Sequence, residues 1–303
     1  MRDVRLTVLT PLYNRRHTIH RVFDSLMRQT CKDFEWLVID DGSTDGVEPL
    51  IRDYIRRADF PVRYYYKENG GKHTVVNMAY GLMQTPYFTI LDSDDAFTDT
   101  AVENMLAGWD SIPPEDRDKF WCVVGHSVDS ETGERIGQSF SENANDLSIP
   151  RESIVGEKTA VIRTDVGRRF PFPEPEGTTF VTESVVWSKV DREYRQYLLN
   201  ADFRIYYQNE PDSLTVAWYR DHVQQGYVSN FVWKQSVLND TPLSAKETLK
   251  TVGQYTFYGV MAHRKAGTIL SGLEHGAHRA LSFLLLLPAH SVRLLRRLRG
   301  KSA

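Results

Sequence analysis

The sequence predicts an α/β fold with a mostly parallel sheet, followed by a helical C-terminal segment. Three observations support this prediction. Apolar, β-prone runs alternate along the first half of the chain with segments whose apolar residues recur at helical spacing. Polar clusters follow the predicted strands at the points where they end, as in sheets that bind ligands at their carboxyl edge. Beyond about residue 221 the pattern becomes helical and irregular.

In the first half, strand and helix patterns follow one another in regular order. Strands are predicted over residues 4–10, 35–39, 62–66 and 87–91. Helices are predicted over residues 16–29, 44–55, 73–83 and 99–109. The first helix carries Ile19, Val22 and Leu26 on one face, and Thr44 or Asp45 can cap the second. Repeated alternation of this kind indicates βαβ units.

The second half is less regular. Strands are predicted over residues 120–128, 159–163 and 203–207, a turn around Gly133, and a helix over 182–197. Three prolines, Pro171, Pro173 and Pro175, exclude both helix and central strand from the loop that contains them.

Composition narrows the class of protein. The chain has 303 residues, of which 41% are hydrophobic and 25% charged, as is ordinary for a soluble globular protein. The formal net charge of −3 gives no indication of nucleic-acid binding. Cys31 and Cys122 lack metal-binding spacing, the first residues show no signal-peptide pattern, and no apolar run is long enough to span a bilayer. We therefore expect a cytoplasmic protein with reduced thiols.

The C-terminal segment has an unusual charge distribution. No acidic residue follows Glu274, whereas five arginines and Lys301 do, and the apolar run from Leu281 to Leu287 lies among them. A short apolar stretch beside basic residues at helical spacing is typical of a helix lying on an anionic membrane surface. The alternative is a helix that packs on the protein core with a solvated basic face. The first alternative predicts a peripheral protein on the inner face of the cell membrane.

An acidic run follows the fourth predicted strand. Asp92, Asp94 and Asp95 come directly after a buried-looking apolar segment, and clustered carboxylates are costly unless a cation neutralises them. A hard divalent cation, Mg²⁺ or Mn²⁺, shared with phosphate groups, suits such oxygen ligands. The alternative is a solvated acidic turn. Polar clusters at four separate strand ends favour the metal site.

Four segments in order resemble one known family. They are TPLYN (residues 10–14), DDGSTD (40–45), NGGKHTVVN (69–77) and LDSDD (91–95). Together they resemble the family 2 glycosyltransferases, which are inverting, metal-dependent enzymes with the GT-A fold, a Rossmann-like mixed sheet with flanking helices. A later stretch, EGTTFVTESVVW (176–187), is similar to members that act in bacterial polysaccharide synthesis.

The resemblance implies a domain organisation. Residues 1–220 would form the catalytic domain, with a nucleotide-sugar half over about 1–100 and an acceptor half over about 101–220. Residues 221–303 would form a C-terminal helical region, for which both membrane association and packing on the core stay open. The family implies a nucleoside-diphosphate sugar donor, most often UDP-linked, and a glycan or lipid-linked acceptor.

The resemblance also implies the donor-binding residues. Asp41 is expected to accept a hydrogen bond from the uracil N3–H, with Asp40 serving the same pocket or orienting its loop. The remaining donor-binding candidates are Thr10, Pro11, Tyr13, Asn69, Gly70, Gly71, Lys72, Asp92 and Ser93. Glycines permit close approach of backbone to the ligand, and Lys72 adds a cation beside the diphosphate. Asp92, Asp94 and Asp95 are the expected ligands of Mn²⁺ or Mg²⁺.

An inverting transfer also needs a base for the acceptor hydroxyl. The family places an aspartate at the start of a helix, but the corresponding position here is Ser184, so Glu183 is the predicted base. Glu176 and Asp221 are reserve candidates. Trp187, one turn later, would stack on an acceptor sugar or pack in the core.

Three other functions fit the sequence less well. A non-catalytic nucleotide-sugar or glycan binding module with this fold is favoured only by Ser184. A dinucleotide-dependent oxidoreductase would need a GxGxxG segment after the first strand, where the chain reads TPLYNRR. A nucleotidyltransferase would need a glycine-rich, basic first loop, which the chain also lacks.

Overall fold

The structure is a computed structural model that describes residues 4–148, 153–208 and 222–298. Their contacts divide the described chain into two compact units. The first unit takes the described residues of 1–70, 74–171 and 193–210, and the second those of 71–73, 172–192 and 211–303. Each unit is described separately.

The strands of the first unit are β1 Leu6–Leu12, β2 Phe34–Asp41, β3 Val62–Lys67, β4 Tyr87–Ile90, β5 Ala96–Phe97, β6 Phe120–Asp129, β7 Lys158–Arg163 and β8 Arg195–Tyr206. The helices that precede the C-terminal region are α1 Ile19–Met27, α2 Glu48–Arg57, α3 Lys72–Leu82, α4 Ala101–Ser111, α5 Thr164–Arg169 and α6 Ser184–Glu193. A short 3-10 helix, Arg117–Lys119, leads into β6.

These strands form one sheet in the order β3-β2-β1-β4-β7-β6-β8-β5. The β3-β2-β1-β4 half is parallel. β7 then lies antiparallel to both β4 and β6, β8 runs parallel to β6, and β5 pairs antiparallel with β8. The predictions of an α/β fold and of a mixed sheet are confirmed, whereas the expectation of a mostly parallel sheet describes only the first half.

A large apolar core supports the parallel half of the sheet. The apolar face of α1 packs there, and the Phe23 ring stacks on Tyr54 with centroids 4.1 Å apart. Tyr87 of β4 stacks on Trp109 of α4 at 4.6 Å. Because Phe23 and Trp109 are almost completely buried, each contributes about 1.5 to 3 kcal/mol or more of hydrophobic stabilisation. In this half of the sheet β1 pairs in parallel with both β2 and β4, so the carboxyl ends of the three strands lie at one edge.

Two local predictions about helices were wrong. Neither Thr44 nor Asp45 caps α2, because Asp45 instead accepts a hydrogen bond from the Arg16 backbone N–H at 2.8 Å. The helix predicted over residues 182–197 ends at Glu193, and β8 begins at Arg195. Residues 196–198 pair with β6, so the sheet overrides the helical periodicity of this segment.

The C-terminal region of the second unit is helical, as predicted. Its helices are α7 Val223–Asp240, α8 Ala245–Met261, α9 Ala266–Ser271 and α10 Gly276–Leu298. A separate core forms among them, in which the buried Tyr255 hydroxyl donates to the Ile269 carbonyl at 2.7 Å. Within the described residues, no helix combines the length and apolar character that crossing a membrane requires.

Candidate active site

The end of β2 presents two adjacent buried carboxylates. Asp40 is 2% exposed and accepts hydrogen bonds from the Ser43 backbone N–H and the Tyr64 hydroxyl, both at 2.8 Å. These bonds tie Asp40 to its own turn and to β3, which fits the loop-orienting role considered for it. Burial, followed by the hydrogen bond to Asp40, raises the pKa of Tyr64 well above its usual value. The tyrosine therefore stays a donor at neutral pH.

Asp41 organises the loop that follows β3. Its Oδ1 accepts from the Lys67 ammonium group at 2.6 Å and from the Gly70 backbone N–H at 2.9 Å. The Asn69 side chain donates to the Asp41 carbonyl at 2.9 Å. Gly42 closes the turn at a φ of +83°, where an added Cβ would lie 2.8 Å from the Asn69 nitrogen. Asp41, Asn69 and Gly70 are thus brought together, as predicted.

The end of β1 has one buried and one open side chain. Thr10 is fully buried, and its hydroxyl accepts from the Trp36 indole N–H at 3.0 Å. Pro11 is half-buried and Tyr13 is 45% exposed, so its ring is accessible for packing on a base. Ligand contact by these three residues stays a prediction. Thr10 has a clear structural role within the sheet.

The segment after β1 links the β2 loop to the acidic run. The Asn14 backbone N–H donates to the Ser43 hydroxyl at 2.9 Å, and its side-chain oxygen accepts from the Thr44 N–H at 2.8 Å. On the other side, the Thr18 hydroxyl donates to the Ser93 carbonyl at 3.0 Å. Three strand-end loops of the first unit are therefore connected through one short stretch of chain.

Basic side chains surround the acidic run. The Arg21 guanidinium donates to the Asp94 carbonyl at 3.0 Å, and Arg15 Nε lies 3.6 Å from Asp94 Oδ2. Arg204, on β8, places Nη1 3.3 Å from Asp95 Oδ2 and 3.8 Å from Asp92 Oδ2. These arginines would also attract an anionic ligand such as a diphosphate.

Asp95 differs from its two neighbours in burial. It is 1% exposed, and its Oδ1 accepts from the Tyr207 backbone N–H at 3.1 Å. Burial raises the pKa of Asp95 to about 7, against the lowering effect of Arg204. Burial also disfavours the charge of Arg204, but Asp95, Asp92 and Glu157 outweigh it and raise the pKa of Arg204. Asp95 is therefore the anchor of the loop against β8.

The carboxylates of the acidic run differ in their access to a metal ion. Across residues 4–148, 153–208 and 222–298, no group of three or more His, Cys, Asp or Glu side chains is arranged to hold a metal ion. The side chains of Asp92 and Asp94 keep 33% and 27% of their surface exposed, whereas Asp95 faces Arg204. Two accessible carboxylates fit Mg²⁺ or Mn²⁺ when substrate phosphates complete the coordination. The metal roles of all three aspartates stay predictions.

The second unit holds the remaining candidates. Lys72 Nζ lies 2.8 Å from Glu183 Oε1, and the Trp187 indole N–H donates to Glu183 Oε2 at 3.4 Å. Trp187 also packs edge-to-face on Phe172 with centroids 5.6 Å apart. Glu183, 43% exposed, precedes α6 directly and is oriented by two partners. Trp187 is half-buried, so its predicted sugar stacking remains a prediction.

Gly71 has a structural reason to be glycine. Its φ is +93°, and an added Cβ would lie 1.8 Å from the Thr179 carbonyl oxygen. The sequence predicted that glycine here would let the backbone approach a ligand closely. In the structure the Thr179 loop of the same unit already lies too close to admit a Cβ. The reserve base Glu176 accepts from Arg264 through its carbonyl at 2.7 Å and has an exposed side chain. Asp221, the other reserve, lies outside the described residues.

Sequence reasoning missed three arginines near the acidic run, Arg15, Arg21 and Arg204. The pair RR directly after TPLYN could have signalled cations beside a phosphate site. No local signal identifies Arg204, because its position depends on pairing between distant strands.

Comparison with known proteins finds similarity mainly in the first unit. The model for Glycosyl transferase family 2 matches residues 7–139, which include all four strand-end segments. An uncharacterized glycosyltransferase of Rickettsia felis is 36% identical over 106 residues, which are 35% of this chain and 17% of that protein. A teichoic acid poly(glycerol phosphate) polymerase of Staphylococcus epidermidis is 32% identical over 103 residues, 34% of this chain and 14% of that protein. The chain thus spans less than a fifth of these relatives.

Solved structures share the fold over almost the whole chain. TarS 1-349 of S. aureus in complex with UDP-GlcNAc has a TM-score of 0.60 and 15% identity, covering 98% of this chain and 93% of that one. A mannosyltransferase of Pyrobaculum calidifontis in complex with GDP-Man and Mn²⁺ has a TM-score of 0.52 and 17% identity, covering 96% and 87%. At these identities the likeness establishes the fold alone. Residues 7–139 therefore match Glycosyl transferase family 2, and the chain shares the GT-A-type fold of these transferases.

Proposed function

We propose that the chain is an inverting glycosyltransferase that moves a sugar from a UDP-linked donor to a glycan or lipid-linked acceptor in cell-surface polysaccharide synthesis. The observation that carries the proposal is the connection of three strand-end loops in the first unit. Buried carboxylates on β2, an exposed Tyr13 and an accessible acidic pair are joined by the segment after β1. All of them lie within the segment that matches the family.

The donor half of the proposal rests on hydrogen-bonding chemistry. Asp41 is an acceptor held at a strand end by Lys67 and Gly70, suited to a ring N–H of the base. Tyr13 directly follows β1 along the chain, and its exposed ring is accessible for packing on the base. A UDP-GlcNAc complex of TarS and a GDP-Man complex of the mannosyltransferase support a nucleoside-diphosphate sugar as the donor class.

Asp92 and Asp94 would hold the divalent metal, with Mn²⁺ favoured by its presence in the Pyrobaculum complex. A bound divalent ion supplies positive charge beside the departing diphosphate. Arg204 and the Tyr207 backbone N–H contact the Asp95 side chain and so anchor the end of the acidic run. Arg15 is also placed to add charge at the same edge.

The acceptor half of the proposal rests on Glu183. The carboxylate is oriented by Lys72 and Trp187 and retains access to solvent, as a base that receives a hydroxyl proton must. Proton acceptance by Glu183 would make the acceptor oxygen nucleophilic. The name of the Staphylococcus epidermidis relative supports a cell-surface polymer as the acceptor class. We place the reaction in the cytoplasm, at the inner face of the membrane.

Donor hydrolysis with a panel of nucleotide sugars, with and without Mn²⁺, tests the proposal. Asp94→Asn keeps the shape of the side chain but removes its charge, and we expect a loss of metal-dependent turnover of about 100-fold or more. Asp99→Asn is the matched control, because Asp99 is exposed and forms a surface salt bridge with Arg28. Equal activity of the two variants would refute the metal role.

Glu183→Gln separates catalysis from binding. We expect transfer to fall by about 100-fold or more while donor binding stays within a few-fold of wild type. The binding-module alternative predicts donor binding without turnover in the unaltered chain, and no difference between that chain and Glu183→Gln. Calorimetric titration with UDP beside the transfer assay distinguishes these outcomes.

A further inference from the structure

Helix α10 uses one face to complete the core of the second unit. Ser282, Leu286 and Ala289 are buried on that face, and the Ser282 hydroxyl lies 2.8 Å from the Thr256 hydroxyl of α8. Leu281 and Leu285 flank the same core. This spacing of three and four residues is that of a packed amphipathic helix. The C-terminal helix therefore packs on the core of its unit through one of its faces.

The opposite face of α10 is apolar as well. Phe283 is 64% exposed, Leu284 70%, Leu287 79%, Leu294 58% and Leu295 53%. At 3.6 residues per turn, these five side chains fall within about 120° on the helix, on the side away from Leu286 and Ala289. We call these five residues the outward face of α10. An exposed apolar stripe of this length is unusual for a soluble surface and indicates an interaction site.

The charge of the chain after Glu274 indicates what kind of partner the outward face binds. No acidic residue follows Glu274, and the basic residues that do are Arg279, Arg293, Arg296, Arg297, Arg299 and Lys301. Their charge complements an anionic surface. Two copies of the segment brought together through their outward faces would place like charges side by side, which disfavours self-association.

We propose that the outward face of α10 inserts into the headgroup region of an anionic lipid bilayer. The apolar side chains enter the interface, while the net positive charge of the segment attracts it to the anionic surface. Arg279 and Arg293 remain bonded to the Leu273 and Val260 carbonyls. α10 would lie along the membrane plane rather than cross it, in keeping with the helix lengths and apolar character of the described chain. This inference stands apart from the proposed sugar transfer, because it requires neither donor nor metal.

Vesicle sedimentation of the full chain tests the inference. The probes are vesicles of phosphatidylcholine alone and of phosphatidylcholine mixed with phosphatidylglycerol, without nucleotide or metal. We expect binding to the anionic vesicles that weakens as salt is raised. The triple variant Phe283→Ser, Leu287→Ser, Leu294→Ser should bind at least about 100-fold more weakly, since three apolar side chains lose their insertion.

A matched control comes from another helix. Leu249 on α8 is 56% exposed, and Leu249→Ser should leave vesicle binding unchanged. Circular dichroism and thermal unfolding of each variant check that α10 still packs through Leu286. Point substitutions are preferable to truncation, because truncation would remove the buried side chains of α10 as well.

Three results would overturn the inference. They are no binding of the unaltered chain to anionic vesicles, equal binding by the triple variant, and a dimer in sedimentation velocity that the triple variant abolishes while vesicle binding is absent. The last result would assign the outward face to a second copy of the chain. None of these results depends on sugar transfer, so failure of the catalytic proposal would leave the membrane test intact.

Discussion

Replacement of Gly71 by alanine should destabilise the second unit strongly. The added Cβ would lie 1.8 Å from the Thr179 carbonyl oxygen and 2.6 Å from its carbonyl carbon, so the backbone must shift by more than an ångström. The φ of +93° adds a penalty of about 1 to 2 kcal/mol for a residue with a Cβ. Overpacking against a backbone atom adds about 2 to 3 kcal/mol. We therefore expect Gly71→Ala to lose about 3 to 5 kcal/mol of unfolding free energy.

Two other glycines of the same unit separate these contributions. Gly177 has a similar φ of +89°, and an added Cβ would meet only Val228 Cγ2 at 3.7 Å. Gly177→Ala should therefore cost only the backbone penalty of about 1 to 2 kcal/mol. Gly253 lies inside α8 with nothing within 4 Å of an added Cβ. Gly253→Ala should raise the unfolding free energy by about 0.5 to 1 kcal/mol.

Urea unfolding of the three variants, followed by circular dichroism and tryptophan fluorescence, measures these differences. The expected order of stability is Gly253→Ala, unaltered chain, Gly177→Ala, Gly71→Ala. If Gly71→Ala were no less stable than Gly177→Ala, the close approach of Thr179 would not be what requires glycine at this position. UDP titration of Gly71→Ala under native conditions would then show whether the turn serves the ligand instead.

Three further predictions follow from individual contacts. Asp41→Asn removes the negative charge of the side chain that accepts hydrogen bonds from Lys67 and Gly70. The affinity for UDP, measured by calorimetry, should fall by about 10- to 100-fold. An unchanged affinity would show that Asp41 does not belong to the donor site. Ser244→Ala removes the side-chain cap of α8 and should lower the unfolding free energy by about 1 kcal/mol in urea titration; an unchanged midpoint would contradict the capping role. The hydrogen bond from Arg163 lowers the pKa of Asp165. Burial acts in the opposite direction but is the smaller effect. Asp165 therefore stabilises the fold above its unfolded pKa of about 4 and loses this effect as pH falls further, so the stability difference between Asp165→Asn and the unaltered chain should shrink below about pH 4. A difference independent of pH would show that the ion pair with Arg163 does not contribute.

The parallel half of the sheet could be predicted from sequence because its signals are local. Each of the strands β1 to β4 is a short β-prone run, and punctuation such as Gly42 and Gly70 marks the turns that follow. The predicted bounds of these strands differ from the observed ones by at most two residues. The strand-end loops of the candidate site follow from the same pattern, since parallel strands end at the same edge.

Other features depend on contacts that no local pattern records. β5 has only two residues and exists because it pairs with β8. The start of β8 carries a helical pattern that pairing with β6 overrides. Arg204 reaches Asp92 and Asp95 only because β8 lies within the same sheet, and the paired role of Glu183 with Lys72 requires the fold of the second unit. Long-range pairing, rather than composition, decides each of these.

The edges of the eight-stranded sheet have a consequence for the behaviour of the protein at high concentration. One edge is β5, whose two residues offer too few backbone groups to template another strand. The other edge is β3, where Arg63 and Lys67 form ion pairs with Glu35 and Asp41 of β2. Charged and very short edges are devices by which natural β-sheets resist polymerisation. Concentrated preparations should therefore remain free of fibrils built by strand addition.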